Sequence, residues 1–286
     1  MGAEVRLPMD QRVVFLDVDG TLVDEFGHIP DSARDAVRRA RANGHLVYLC
    51  TGRSTVSIRG EIHDIGFDGV VAAAGGYVES AGTVLEHRHI PPAGVRRIAD
   101  WFGARKIEYL LESNDGVFGS ANVRSRLRAL LLGSVADEEM LAELGKGILG
   151  FFDTIQVGVD PEAIHVNKVS FLDSDVPLPV IRAAFDDAYT VIPATVPLFG
   201  PNSGELSLRE VHKATGIAIV LDHLGLPRER SVAFGDGYND LEMVEFAGVG
   251  VAMGNAVPGV ISRADLITGS PREDGIATGF AQLGLI

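Results

Sequence analysis

The sequence predicts an α/β protein with a parallel-sheet core that is interrupted by a separate α+β segment. Short strand-like runs alternate with helical runs at both ends of the chain, which is typical of a parallel sheet with right-handed crossovers. Near residue 75 the alternation gives way to a hairpin and a mixed region, and it resumes after Ser207. The middle segment is therefore predicted to be an insertion.

The N-terminal part begins with Val13–Leu16, a run of β-branched, aromatic and aliphatic residues that is too short for a helix and typical of a strand buried on both faces. Pro30-Asp31-Ser32 indicates a helix start with Asp31 or Ser32 as its cap, and Gly44 ends the run. The further predicted elements here are strands at Leu46–Cys50 and Gly69–Ala73 and a helix at Ser54–Ile65.

The insertion opens with a hairpin pattern from Gly75 to Leu85. Its predicted helices are Pro92–Ala104, Ala121–Leu132, Asp137–Leu144 and Pro177–Asp187, and its predicted strands are Ile107–Leu111, Thr154–Val159 and Ile164–Leu172. The C-terminal part has helices at His212–Leu224 and Asp240–Phe246, strands at Ser231–Gly235 and Val249–Met253, and further alternation at Val260–Arg263, Leu266–Ile267 and Gly275–Leu283. We therefore predict residues 1–82 and 205–286 as two segments of one core and residues 83–204 as the inserted domain.

Composition excludes several classes of function. The 286 residues carry a net charge of −14, which disfavours binding to nucleic acid. No apolar run approaches the length of a membrane helix, and the first residues lack the pattern of a signal peptide. Cys50 is the only cysteine, so an intrachain disulfide is impossible. We expect a cytoplasmic protein without membrane or nucleic-acid partners.

The first chemical motif is Asp17-Val-Asp-Gly-Thr21, directly after the first predicted strand. Open α/β sheets bind ligands at the ends of such strands. Two carboxylates this close repel each other unless a proton or a cation lies between them, and Mg²⁺ is the cation that suits oxygen ligands. A strand end with ordinary turn residues is the alternative for this motif alone.

Two weaker signals involve phosphate-binding residue types. Thr51-Gly-Arg53 follows the second strand, where a hydroxyl and backbone N–H groups can hold phosphate oxygens, although a plain helix cap is the better explanation of this motif alone. Lys213 lies near a helix start, where its charge opposes the helix dipole. Taken alone, Lys213 is better explained as an exposed lysine.

The last motif is Gly235-Asp-Gly-Tyr-Asn-Asp240, after another buried strand. Asp236 at the strand end is a metal-ligand candidate, Asn239 accompanies it, and Asp240 opens the next helix. Polar clusters that follow three parallel strands meet at one edge of the sheet. An acidic cluster with a cation site, a lysine and a hydroxyl suits phosphoryl transfer through an aspartyl intermediate.

These four motifs, in this order, resemble the haloacid dehalogenase superfamily, and within it the Cof-type, sugar-phosphatase-like group with a type IIB cap. Val251-Ala-Met-Gly-Asn-Ala256, Ala264-Asp265 and Asp274-Gly275 add to the resemblance. It implies a Rossmann-like parallel-sheet core with an inserted α+β type II cap domain, because the long gap lies between Thr51 and Lys213. One departure is Gly237, where the group usually has serine.

The resemblance also implies a role for each motif residue. Asp17 would be the nucleophile and Asp19 the general acid and base. Asp17, Asp236 and the backbone carbonyl of Asp19 would hold Mg²⁺. Substrate binding would fall to Thr51, Gly52, Lys213 and Asn239, with Asp240 in support. The polar candidates in the cap are His87, His89, Arg124, Arg126, Asn167 and Lys168, and for each an ordinary surface role is the better interpretation.

The expected activity is hydrolysis of a small phosphate ester, such as a sugar phosphate, pyridoxal phosphate or a flavin-pathway phosphate, by a monomer or homodimer. Asp19 argues against a true dehalogenase, and the lack of membrane spans argues against an ion pump. Two alternatives stay open: a phosphomutase or phosphotransferase with the same residues, and a phosphosugar-sensing module without catalysis.

Overall fold

The structure, a computed structural model, describes residues 11–58, 60–134, 149–194 and 199–286. The described chain forms two compact units. The core unit takes in the described residues up to Arg53, together with Ser57–His87 and Val211–Ile286. The insert unit comprises Ser54–Val56 and Arg88–Glu210.

The strands and helices are named here in chain order. The strands are β1 (Val13–Leu16), β2 (Leu46–Cys50), β3 (Gly69–Ala72), β4 (Tyr77–Ser80), β5 (Thr83–His87), β6 (Tyr109–Ser113), β7 (Gly116–Gly119), β8 (Gln156–Val157), β9 (Val166–Phe171), β10 (Tyr189–Pro193), β11 (Gly204–Leu208), β12 (Ser231–Gly235), β13 (Val249–Ala252) and β14 (Leu266–Ile267). The helices are α1 (Asp31–Ala42), α2 (Glu61–Ile65), α3 (Pro92–Gly103), α4 (Val123–Ser134), α5 (149–154), α6 (Leu178–Phe185), α7 (Lys213–Leu224), α8 (Leu241–Phe246), α9 (Pro258–Ile261) and α10 (Gly275–Gln282). None of these described helices has the length and apolarity needed to cross a membrane.

The core unit is built on a sheet with the strand order β14-β13-β12-β1-β2-β3-β4-β5. The strands from β14 to β3 are parallel, and the hairpin of β4 and β5 adds two antiparallel strands at one edge. All four residues of the central strand β1 are buried. Helices α1 and α10 contribute to one apolar cluster with this sheet, and α7 and α8 contribute to another. The predicted α/β core is confirmed.

The limits of the two units differ from the predicted domain boundaries by five or six residues. The structure divides at 87/88 and 210/211 rather than at 82/83 and 204/205. Strand β5 pairs with β4 and therefore belongs to the core sheet, whereas β11 pairs with β9 and β10 and belongs to the insert. The hairpin pattern from residue 75 is thus the edge of the core and not the start of the insertion.

Two local predictions around the first helices are wrong. The predicted helix Ser54–Ile65 is a 3₁₀ turn at Thr55–Ser57 followed by α2, because Gly60, with φ of +61°, interrupts the helical path. Helix α1 begins after Pro30 without a side-chain cap, since Asp31 is already helical and the Ser32 hydroxyl donates to Asp274 instead.

The insert unit has its own sheet, with the order β10-β11-β9-β6-β7-β8, in which every pair except β7–β8 is antiparallel. Helices α3 and α6 pack on it through an apolar cluster that includes Phe102, Phe171 and Phe185. A second apolar cluster includes Val123 and Leu127 of α4. The segment is therefore an α+β unit with its own interior. The predicted helix Asp137–Leu144 lies outside the described residues.

The expectation of a surface role for two of the polar candidates is wrong. Asn167 and Lys168 of β9 are 3% and 6% exposed. The Lys168 ammonium lies 3.0 Å from a Glu205 carboxylate oxygen and 3.5 Å from one of Glu112. Glu112 and Glu205 come from the strands on either side of β9, so pairing across the sheet allows the charge to be buried.

Candidate active site

The site forms where three neighbouring strands of the core sheet end. Asp17 follows β1, Thr51 follows β2 and Asp236 follows β12, and β1 pairs in parallel with both of the other strands. The Asp17 amide donates to the Phe234 carbonyl at 3.0 Å, which extends the pairing of β1 and β12 to this point. The three loops therefore meet at the carboxyl edge of the sheet, as predicted.

Three carboxylates crowd together at this edge. One oxygen each of Asp17, Asp236 and Asp240 lies within 4.8 Å of the others. Burial, followed by the Asp240 charge, raises the pKa of Asp17 well above its usual range. The same two causes raise the pKa of Asp236 to about 7. The cluster therefore favours a cation or a proton between its members.

Lys213 supplies one positive charge to this cluster. Its side chain is fully buried, and its ammonium lies 2.5 Å from one oxygen of Asp17 and 2.5 Å from one of Asp240. Burial opposes the charged form, but the carboxylates of Asp17 and Asp240 outweigh it and hold the pKa of Lys213 above its ordinary value. The interpretation as an exposed lysine is excluded, because the first residue of α7 points its charge into the site.

Asp240 is committed to hydrogen bonds through both oxygens. Oδ1 accepts from Lys213, and Oδ2 accepts the backbone N–H groups of Asp236 and Gly237, each at 2.9 Å. A carboxylate with all these donors has little capacity left for a metal ion. Asp240 therefore orients Lys213 and the loop after β12. Gly237 takes part only through its backbone, and Asn239 lies half-buried in the same turn.

Two side chains to which the motif analysis assigned no role donate hydrogen bonds to the Asp236 carboxylate. The Thr21 hydroxyl donates to Oδ1 at 3.1 Å, and the Asn255 amide donates to Oδ2 at 3.2 Å and to the Gly20 carbonyl at 2.9 Å. Gly20 has φ of +83°, and a Cβ built there would lie 2.3 Å from Asp236 Oδ2. The chain therefore needs glycine here both for its backbone angle and for the space of the carboxylate.

Asp19 points to a different partner from the other carboxylates. The Arg53 guanidinium donates to both of its oxygens, at 2.6 Å from Nη2 and 2.9 Å from Nε. The Asp19 side chain is 46% exposed, whereas Asp17 is buried. The acidic cluster thus consists of Asp17, Asp236 and Asp240, and the Asp19 carboxylate lies in a salt bridge instead.

A tight turn fixes the loop of Thr51 to Arg53. The amides of Ala73 and Ala74 donate to the carbonyls of Arg53 and Thr51 at 2.8 and 2.9 Å. Both alanines have left-handed backbone angles, with φ of 50° and 54°. The next residue, Gly75, packs so closely on the helix start that a Cβ there would lie 2.3 Å from the His212 carbonyl. The turn therefore contacts both the Thr51 loop and the start of the Lys213 helix.

Sequence reasoning found the charged centre but missed the groups that orient it. Thr21 and Arg53 stand inside the quoted motifs, and Asn255 stands inside the C-terminal resemblance, yet no role was assigned to any of them. Asn255 follows Asp236 by 19 residues and Arg53 follows Asp19 by 34. Only the parallel order of the strands could have indicated these pairs.

A family model of haloacid dehalogenase-like hydrolases matches residues 14–280. The chain belongs to this family. The match spans both segments of the core unit and the whole insert unit, so the resemblance noted from the four motifs is confirmed for the chain as a whole.

Individual relatives of the chain are similar to it over nearly its full length. The putative phosphatase YkrA of Bacillus subtilis is 28% identical over 280 residues, which are 97% of this chain and 100% of YkrA. The 5-amino-6-(5-phospho-D-ribitylamino)uracil phosphatase YwtE of Bacillus subtilis is 27% identical over 285 residues, which are 95% of this chain and 98% of that protein. A solved haloacid dehalogenase-like hydrolase of Bacillus subtilis, 23% identical, has a TM-score of 0.80 over 96% of this chain and 100% of that chain, which shows a shared fold.

The acidic cluster of this haloacid dehalogenase-like hydrolase fits a divalent cation. Its donor atoms are carboxylate oxygens, which hard divalent ions prefer, and they lie close enough together to share one ion. Burial first, and then the neighbouring Asp240 charge, raises the pKa of Asp17 and of Asp236, which is in keeping with an excess of buried negative charge. Asp17 and Asp236 are the ligand candidates, since Asp240 is already committed.

Proposed function

We propose that the chain is a Mg²⁺-dependent phosphatase that hydrolyses small phosphorylated metabolites through an aspartyl-phosphate on Asp17. The observation that carries the proposal is the buried contact of Lys213 with Asp17 at the strand edge where Asp236 also lies. A carboxylate next to a buried lysine and a cation site is suited to attack phosphorus, because positive charge offsets its repulsion from the phosphate.

In the proposed reaction an Asp17 oxygen attacks phosphorus while the ester P–O bond breaks, and Asp19 donates a proton to the leaving oxygen. Water then attacks the phosphorus of the aspartyl-phosphate, and Asp19 takes its proton. Inorganic phosphate leaves and the Asp17 carboxylate is restored. Asp19 thus acts as acid in the first half-reaction and as base in the second.

The remaining residues bind the phosphoryl group and the cation. Thr51, the backbone of Gly52, Lys213 and Asn239 hold the phosphoryl oxygens, and Asp240 keeps Lys213 in place. The carboxylates of Asp17 and Asp236 and the backbone carbonyl of Asp19 would hold Mg²⁺, and the ion would supply positive charge to offset the negative charge of the phosphoryl group.

The proposed substrate is a small phosphate monoester, such as a sugar phosphate or a flavin-pathway phosphate. The family and the name of the YwtE relative support this class. We further propose a cytoplasmic monomer or homodimer without nucleic-acid partners, in keeping with the net charge of −14.

The proposal is tested by the substitution Asp17→Asn. We expect Mg²⁺-dependent hydrolysis of p-nitrophenyl phosphate to fall on the order of 10³-fold or more, because the amide is not a nucleophile. The fold should persist, since asparagine keeps the shape and Asp240 still neutralises Lys213. Acid-quenched wild-type enzyme should carry one phosphoryl group by mass spectrometry, and the variant should carry none.

Asp68→Asn is the matched control, because Asp68 also pairs with a cation, Arg41, at the opposite end of the core sheet. It should retain hydrolysis and phosphoenzyme formation. Activity near that of the wild type in Asp17→Asn would remove Asp17 as the nucleophile. Wild-type enzyme that releases no phosphate with or without Mg²⁺ would favour a sensing module instead.

A further inference from the structure

The salt bridge between Arg53 and Asp19 is a two-point contact. Nη2 and Nε of the guanidinium each bind a different carboxylate oxygen, at 2.6 and 2.9 Å. Such a paired contact fixes the plane and direction of a carboxylate, which a single lysine contact does not. The direction of the Asp19 carboxylate is therefore coupled to the position of Arg53.

The local backbone does not by itself restrict the Asp19 side chain to one rotamer. It stands in the turn that follows β1, just before Gly20, and its side chain is 46% exposed. A half-exposed side chain samples several rotamers, and each misdirected rotamer removes the group from the reacting atoms. Asp17, by contrast, is fully enclosed and ion-paired with Lys213.

Arg53 is itself held by the loop that carries Thr51. Its amide donates to the Thr51 hydroxyl at 3.1 Å, its carbonyl accepts from Ala73, and Nη1 lies 3.5 Å from the Ser57 carbonyl. One short segment thus contains a phosphate-binding candidate and the partner of Asp19. The phosphate position and the Asp19 direction are set by the same backbone.

We propose that Arg53 is the positioning residue of Asp19: it sets the direction from which the protonated Asp19 carboxyl group donates to the leaving oxygen, and it acts on the reaction only through Asp19. This inference rests on the proposed phosphatase function and adds to it. It assigns to Arg53 an effect on proton donation by Asp19, which depends on the leaving group, and not a role as a ligand of the transferred phosphoryl group.

The proposal predicts a dependence on the leaving group. Proton donation matters most for a basic leaving oxygen and least for one that leaves readily as an anion. Loss of Arg53 should therefore lower kcat/KM for phenyl phosphate far more than for p-nitrophenyl phosphate. The ratio kcat/KM is the right measure, because it reports steps up to the first chemical step and not the later hydrolysis of the aspartyl-phosphate.

The experiment measures kcat/KM for both aryl phosphates in wild-type enzyme, Arg53→Gln, Arg53→Lys, Asp19→Asn and the double variant Arg53→Gln/Asp19→Asn. We expect Arg53→Gln to reduce phenyl phosphate turnover at least tenfold more than p-nitrophenyl phosphate turnover, with Arg53→Lys giving partial rescue. In the Asp19→Asn background, Arg53→Gln should no longer change the ratio of kcat/KM for the two substrates. This is the result expected when one residue acts only through the other.

Arg41→Gln is the matched control, because Arg41 makes the same two-point contact with Asp68, at 2.8 and 3.0 Å, away from the site. It should leave the substrate ratio unchanged, and thermal unfolding would show whether either arginine variant loses stability. Equal losses of kcat/KM on both substrates in Arg53→Gln would leave the ratio of the two values unchanged. That outcome would overturn the inference while leaving the phosphatase function intact. A wild-type enzyme inactive on both esters would overturn the proposed function and this inference together.

Discussion

At the scale of single residues, the site is a balance of charges that local sequence only partly reveals. Lys213 neutralises part of the negative charge of Asp17 and Asp240, whereas burial and the nearby Asp240 charge raise the pKa of Asp236 to about 7. A buried charge without its partner destabilises a protein by several kcal/mol. The side chains around Asp17 therefore affect the stability of the fold as well as the charge of the candidate site.

Gly20 offers a test of how closely the Asp236 carboxylate must be placed. Gly20→Ala should destabilise the protein by about 1–2 kcal/mol through its positive φ. It should also displace the Asp236 carboxylate, since the new Cβ would lie 2.3 Å from Oδ2. We expect Mg²⁺-dependent hydrolysis of p-nitrophenyl phosphate to fall by about 100-fold, on the scale of a catalytic group misplaced by 1 Å.

Gly27→Ala is the control for Gly20→Ala. Gly27 has nearly the same φ, +82° against +83°, but a Cβ there meets nothing within 4 Å. Urea denaturation of Gly27→Ala should report the loss of stability that the positive φ causes alone, while only Gly20→Ala loses activity. Equal activity in the two variants would show that the Asp236 carboxylate tolerates displacement.

The sequence predicts which residues lie together at the strand ends. It predicts less well which other side chains hold those residues in position. Asp17, Thr51 and Asp236 could be placed at one edge because each follows an apolar run in a parallel pattern. The contacts of Arg53 with Asp19 and of Asn255 with Asp236 depend on loop conformations that leave no periodic signal. The sequence therefore places the charged groups of the site at one edge of the sheet but does not indicate which side chains hold them in position.

At the scale of elements, the turn of Ala73, Ala74 and Gly75 is the notable feature. Three consecutive residues have positive φ, and the turn's amides hold the carbonyls of the Thr51 loop. A left-handed alanine costs about 1–2 kcal/mol relative to the right-handed form. The strain persists because β3, the Thr51 loop and the start of α7 all fix the turn.

Because of this strain, we expect an alanine-to-glycine substitution here to raise the free energy of unfolding, whereas such substitutions usually lower it. Ala74→Gly should stabilise the protein by about 0.5 kcal/mol, because relief of the left-handed angle exceeds the added entropy of the unfolded chain. Ala218→Gly, at an exposed position inside α7, should instead destabilise it by about 1 kcal/mol. Urea midpoints measure both, and a loss of stability in Ala74→Gly would contradict the assigned strain.

Element boundaries and burial in the insert were harder to predict than the core sheet. Lys168 lies in a run that looks like a solvated strand, yet Glu112 and Glu205 on adjacent strands allow it to be buried. Those partners are separated from it by 56 and 37 residues in the chain, so no local pattern indicates them. The interrupted helix after Ser54 likewise depends on the backbone angle of Gly60.

At the scale of the whole molecule, negative charge makes cation binding a general tendency as well as a property of one site. The chain carries a net charge of −14, so weak, non-specific Mg²⁺ binding is expected in addition to any specific binding. Binding at a specific site is recognised only if the effect of Mg²⁺ on the protein disappears when one of the coordinating residues is substituted. The comparison of variants is therefore essential to any metal experiment.

Mg²⁺ should raise the thermal midpoint of the wild-type protein by several degrees. An ion present at 100 times its Kd stabilises the folded state by about 2.7 kcal/mol, and EDTA should reverse the shift. Asp236→Asn should lose most of the shift, and its metal-free form should be no less stable, because one of three crowded carboxylates is gone. Asp68→Asn should keep the shift, and an equal shift in Asp236→Asn would argue against Asp236 as a ligand.

The buried thiol of Cys50 makes the protein well suited to fluorescence spectroscopy. Cys50 is the only cysteine, it is fully enclosed at the end of β2, and burial raises its pKa. Maleimide dyes react with accessible thiolates, so the native chain should stay unlabelled while it is folded. A cysteine introduced on the surface of either unit would then carry the single fluorophore, without any need to replace Cys50.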